Sequence, residues 1–242
     1  MISETLKEND FFTSDQNRKL YRTELIARGR NIVLNLAMQP KYDEFHYVIM
    51  MDLDFGQLLD IDGILSSFNF TEEWDAICAN GIAPNGEHWD WYAFRNEQHP
   101  FGPELYGAEW WKSLPQWRTE VNLRPSDPML PVISAFGGLA IYKRDSMKEC
   151  YYSGIVTEDL EFIMQNIINI DNPKSRDTIR YYFSILNKME SFALPNGYLR
   201  WFTTSHLYTE YPTVCEHVPF HASMIKKNHA KIFINPRMIM KY

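Results

Sequence analysis

The chain has 242 residues, 45% hydrophobic and 15% aromatic, enough to bury one sizeable core and too apolar for a disordered chain. Its net charge of −7 and pI near 5.5 exclude the generally basic surface of a nucleic-acid binder, so an anionic ligand has to be met by local cations, a metal or helix N-termini. Three scattered cysteines, Cys78, Cys150 and Cys215, argue against a disulfide framework. With a polar, acidic start unlike a signal peptide and no apolar run near the ~20 residues that span a bilayer, they set the expectation of a cytoplasmic chain with no membrane segment.

Thr13 to Gln16 reads as a T-x-x-Q capping box opening a helix that runs through "NRKLYRTELIARGRNIVLNLAM" to Pro40. One stripe on it holds Leu25, Gly29, Ile32 or Val33, and Leu36. A second holds Arg22, Ile26 and Arg30, with Thr23, Ala27 and Asn31 alongside. "HYVIMM" then reads as a buried strand and "DLDFG" as its exit. Asp60-Ile61-Asp62 reads as a turn or helix cap, and "TEEWDAICAN" as a helix or strand burying Cys78. Residues 84–130, rich in Pro, Gly and Trp, read as a structured insertion over one face. "LPVISAFGGLAIYKRD" is a strand interrupted or bulged at Gly137-Gly138. "TEDLEFIMQNIINI" is a helix with Thr157 as N-cap, "DNPKSRD" a surface loop, and "TIRYYFSILNKM" a short helix. "VCEHVPFHASMIKKNHAKIFINP" holds a loop, a short helix and a strand from Lys231 to Asn235. Strands alternate with helices, so the class is α/β, arranged as a single domain over 1–242.

Asp52 and Asp54 close the first strand, where α/β sheets place their ligands. In extended backbone, residues i and i+2 point the same way. Two carboxylates on one side repel unless a cation neutralises them, and Mg²⁺ or Mn²⁺ would do so while leaving positions for phosphate oxygens. A D-x-D triplet also arises by chance, and loop capping is the alternative.

Four further groups stand out. Arg22 and Arg30, two turns apart, are either a solvated helix face or a clamp for phosphate or carboxylate. "CEHVPFH" offers Glu216 as a base or a structural carboxylate, with His217 and His221 at helical spacing; a zinc site there lacks an evident fourth ligand. Glu158 and Asp159 fit an acidic first helical turn, or a base presented at a helix N-terminus. Among the tryptophans, Trp110-Trp111 are adjacent, so one is a candidate platform for a sugar ring and the rest are candidate core.

The blocks "YVIMMDLDF", "SAFGGLAIYKRD" and "CEHVPFHASM…AKIFINP", in that order, resemble GT-A-fold glycosyltransferases. The upstream "RTELIARGRN" resembles the helix before the D-x-D strand in capsule-associated mannosyltransferase-like and large-virus members. The resemblance implies a Rossmann-like mixed central sheet flanked by helices, with 84–130 over the site and 155–212 as a helical insertion. The segment before residue 20 is too polar for the strand with which such domains begin. It implies transfer of a sugar from a nucleotide-diphosphate donor to a hydroxyl of a glycan or protein acceptor. Asp52 and Asp54 match the pair that binds Mn²⁺ or Mg²⁺ and the diphosphate, with Arg22 and Arg30 beside the donor. Gly137 and Gly138 match a loop where backbone approaches a sugar, Glu216 matches the base, and His217 or His221 would complete the metal site. Glu158-Asp159 resembles the rival base motif of other members. A catalytically silent carbohydrate- or partner-binding domain on the same scaffold is the alternative. A nucleotidyl- or phosphotransferase is a weaker third, since no Gly-rich, Lys-containing phosphate loop is present.

Overall fold

A computed structural model describes residues 19–53, 59–100, 102, 121–169, 189–193, 199–203 and 213–242. Asp54, the Thr13–Gln16 box, Trp110, Trp111, Trp117 and all but Met189 of the helix expected over 178–189 lie outside these residues, as does most of 155–212; Met189 itself begins a strand.

Five strands form one mixed sheet: β1 (Tyr47–Met51), β2 (Ala76–Ile82), β3 (Leu130–Val132), β4 (Leu139–Lys143) and β7 (Ile232–Lys241), in the order β1-β4-β2-β7-β3. β4 runs antiparallel to both β1 and β2, while β2 and β7 are parallel and β3 is antiparallel to β7. β1, β2 and β7 therefore all point one way and deliver their carboxyl ends to one edge of the sheet. A separate hairpin pairs β5 (Met189–Ala193) with β6 (Leu199–Thr203).

The sheet is apolar on both faces. One face buries Met50, Ala76, Cys78, Ala140, Tyr142, Ile232 and Ile234 under three helices: α1 (Arg22–Ala37), α3 (Glu158–Asn169) and α4 (His217–Asn228). The other face, with Ile77, Leu139, Ile141, Phe233 and Met240, is covered beside α2 (Ile61–Ser66). α4 is the central helix: every residue from His217 to Met224 is buried, so a change such as Phe220→Ala costs about 3–5 kcal/mol. Among the described residues no helix is long and apolar enough to cross a membrane.

Several elements depart from the sequence reading. α1 starts at Arg22, not before Lys19; Glu24 reaches back to accept from the Tyr21 N–H at 2.9 Å, a box that no Ser or Thr announces. Its buried residues are Thr23, Ala27 and Leu34, whereas Gly29 and Val33 are exposed, so the buried face is the one carrying Thr23 and Ala27 and not the Leu25–Gly29–Val33 stripe. "LPVISAFGGLAIYK" is two strands, β3 and β4, that run the same way and are not neighbours: β7 and β2 lie between them, and the connection that ends in Gly137-Gly138 crosses the sheet. β7 continues past Asn235 to Lys241, its register slipping opposite Ala79 and Asn80 as it passes Pro236. Other expectations hold. Asp60 caps α2 by accepting from Gly63 N–H at 3.0 Å, Thr157 Oγ1 accepts from Leu160 N–H at the start of α3, and all three cysteines are free and buried.

Candidate functional site

The carboxyl ends of β1, β2 and β7 converge on a short turn, Phe136-Gly137-Gly138, that leads into β4. Each of its residues holds part of a site. The Gly138 carbonyl accepts from Asp52 N–H at 2.9 Å, fixing the residue that closes β1. The Gly137 N–H donates to Asp90 Oδ2 at 3.0 Å. The Phe136 ring carries the Arg30 guanidinium 4.8 Å from its centroid and stacks on His217 at 3.8 Å.

Arg30 is the centre of charge. Its Nε donates to Glu216 Oε1 at 2.7 Å and its Nη2 to Asp52 Oδ1 at 2.8 Å. Burial on its own would lower the Arg30 pKa, but the charges of Glu216 and Asp52 outweigh it, so the guanidinium is held firmly protonated. The helix and the strand end that the sequence singled out thus meet, joined to "CEH" by one side chain. Arg22 does not join them: it is exposed in the first turn of α1, two turns away.

Asp90 is the acid that the sequence reading passed over. It sits in "HWDWY", inside the stretch read as insertion, at a left-handed φ of 76°. Burial pushes its pKa up to about 7; the Gly137 N–H opposes this and the Glu216 and Asp52 charges add to it. A non-glycine residue in that backbone region is a local cue for function, visible only in the structure.

The two histidines of "CEHVPFH" have different duties. His221 is fully committed: Nδ1 pairs with Ser134 Oγ at 2.9 Å and Nε2 with Tyr142 Oη at 3.0 Å, and burial lowers its pKa to about 3. It is a neutral core strut, and a cation here would have to displace one of these two partners. His217 is 1% exposed, and among the described residues neither ring nitrogen has a hydrogen-bond partner. Its Nε2 lies 3.5 Å from Glu216 Oε1, but burial first, then the Arg30 charge, holds the ring neutral, so this is no ion pair.

Gly137 and Gly138 are explained by packing. Both have left-handed φ values, 62° and 88°. A Cβ on Gly137 would strike the Ala79 carbonyl, and one on Gly138 would strike the Tyr242 hydroxyl. Asp159 lies away from the site, pairing with Lys226 Nζ at 2.8 Å to tie α3 to α4, and Glu158 is exposed. Their helix-start position and this tie account for both.

Among the described residues no three His, Cys, Asp or Glu side chains converge as a metal centre. Asp52 is an oxygen donor at a strand end, as a hard cation needs, and His217 has unpartnered nitrogens, but Asp52 and Glu216 both have Arg30 as their cation. No protein-family model, curated protein or solved structure matches the chain.

Proposed function

We propose that this chain is a glycosyltransferase of GT-A type that moves a sugar from a nucleotide-diphosphate donor to a hydroxyl acceptor. One observation carries the reading: Asp52, at the carboxyl end of β1, shares the Arg30 guanidinium with Glu216, and the pair lies within electrostatic reach of Asp90. Acids gathered at the carboxyl ends of parallel strands suit a polar, phosphate-bearing ligand that brings its own cation. In this scheme Asp52 and Asp54 would hold Mn²⁺ or Mg²⁺ at the diphosphate end of the donor. When bound, that ion takes up the charge that develops on the departing nucleoside diphosphate. Glu216 is the base. Its Oε1 is anchored on Arg30 while Oε2 faces only the weak Cys215 thiol donor at 3.7 Å, leaving it able to accept the acceptor hydroxyl's proton. The sugar C1–O bond to the diphosphate breaks, the acceptor oxygen bonds to C1, and the proton ends on Glu216.

The test is release of nucleoside diphosphate from a panel of UDP- and GDP-sugars with Mn²⁺. Activity lost on Asp54→Ala, and on Glu216→Gln with the protein still folded at the assay temperature, supports the reading. Full activity in Asp54→Ala removes the metal role.

A second reading is a catalytically silent carbohydrate- or partner-binding domain. Arg30 favours it, because it already neutralises two of the acids that a metal-dependent enzyme needs. Calorimetry with UDP, GDP and Mn²⁺ separates the two readings, since a silent domain binds no nucleotide.

A further inference from the structure

Beside the acids stands an aromatic ledge. Trp89 follows the end of β2 and is tied back to it, its N–H donating to the Gly81 carbonyl at 2.8 Å. Tyr242 follows β7 and is tied to the same strand end, its N–H donating to the Ile82 carbonyl at 3.2 Å. The two rings lie 4.9 Å apart, inclined by 30°. Trp89 nevertheless keeps 43% of its surface exposed, while Trp91, two residues on, is 8% exposed and packed in the core. An indole held rigidly from below and open above loses little conformational entropy when a ligand covers it.

The ledge is joined to the acids through the backbone. Asp90 is the next residue after Trp89 and accepts from Gly137 N–H; the Tyr242 hydroxyl abuts Gly138, whose carbonyl holds Asp52 N–H. His217, stacked on Phe136 of the same turn, is 1% exposed, with both ring nitrogens unpartnered among the described residues. A flat apolar face next to hydrogen-bonding carboxyl groups is the combination that suits a pyranose, which offers a face of C–H groups and a rim of hydroxyls.

We propose that Trp89, backed by Tyr242, is the stacking face of a sugar-ring subsite, with Asp90 hydrogen-bonding a hydroxyl at the rim of that ring. This rests on the sugar-transfer reading for its place in a reaction, where the subsite takes the acceptor ring. The site binds a sugar whether or not transfer follows. Trp89 is a specificity-determining contact and moves no proton.

The experiment uses the full chain with methyl α-mannopyranoside, methyl β-glucopyranoside and methyl β-galactopyranoside as probes. Saturation-transfer NMR reads contact with the C–H face, and tryptophan fluorescence reads the indole. At least one sugar is expected to show saturable transfer, weakened tenfold or more in Trp89→Ala and retained in part in Trp89→Phe, which keeps a ring and guards against a folding artefact. Unchanged binding in Trp89→Ala overturns the proposal, as does the absence of transfer to all three sugars in the wild-type protein. Calorimetry with UDP or GDP and Mn²⁺ keeps the two readings apart. Sugar contact at Trp89 without nucleotide binding leaves the subsite standing and removes sugar transfer. Nucleotide binding without sugar contact does the reverse.

Discussion

Asp52 and Glu216 are bound to the same guanidinium, at 2.8 and 2.7 Å from Arg30, although one closes the first strand and the other opens the last helix. Removing the shared partner strands two carboxylates. The Glu216 side chain is only 7% exposed, and among the described residues Arg30 is the charged group paired with it. Arg30→Ala is therefore expected to lower stability by about 3–5 kcal/mol, the usual consequence of breaking a buried pair. Adding Glu216→Gln should restore part of that loss, because the stranded charge is gone. Chemical denaturation of the two single variants and the double variant gives the coupling; strictly additive losses contradict the bridge.

Asp90 gives a pH dependence of defined sign. Its folded pKa of about 7 lies above the ordinary carboxylate value of 3.8, so the folded state binds a proton there that the unfolded chain has released. Below pH 4 the group contributes nothing to the difference. Stability falls as pH rises from about 4 to 7, and the full penalty is present above that. Asp90→Asn, which keeps an acceptor for the Gly137 N–H, is expected to be more stable than wild type by up to about 4 kcal/mol at pH 8 and close to it at pH 4. A gap of the same size at both pH values would refute the assignment.

His221 is expected to behave as a strut. His221→Phe leaves Ser134 Oγ and Tyr142 Oη without their shared partner and should cost about 1–3 kcal/mol for each group left unsatisfied. Mn²⁺ affinity, read by calorimetry, should not change. A selective loss of metal binding with unchanged stability would return His221 to the list of ligands.

For the glycine pair, Gly137→Ala and Gly138→Ala each force a side chain into a left-handed backbone position and against Ala79 or Tyr242. Each should lose about 1–3 kcal/mol in the absence of any ligand. If either variant melts like wild type and only nucleotide-sugar binding suffers, the turn serves the ligand and not the fold.

Much of this was legible from residue order, and the reasons differ by element. The apolar run ending in Asp52 marks a strand and its end, but not the buried strand expected: β1 is at the sheet edge, with Met50 buried and Tyr47 and Ile49 exposed, and burial depends on a sheet order that no local pattern shows. Asp60 and Thr157 announce their helices through local capping chemistry. Arg30 stood out by helical spacing, yet its partners lie far along the chain, and no local pattern says that Glu216 and Asp52 share it. The chain crossing at Gly137-Gly138 was invisible for the same reason: two apolar segments beside a glycine pair look like one bulged strand until the sheet order is known. Asp90 was hidden by its setting, an aromatic stretch whose period resembles neither helix nor strand. The α1 start was misplaced because Tyr21 with Glu24 performs a capping role usually carried by Ser or Thr.

The shared guanidinium also sets a reciprocity between folding and ligand uptake. Any cation that settles on Asp52 does so in competition with Arg30, and its affinity is reduced by whatever Arg30 contributes there. Weakening that grip with Arg30→Lys, which cannot bond both acids as a planar fork, should therefore make the protein easier to unfold and its divalent-ion affinity tighter. In such an arrangement the arginine acts as a built-in counter-ion. It holds Asp52 and Glu216 together, and on the proposed reading an incoming ion would have to displace it from Asp52.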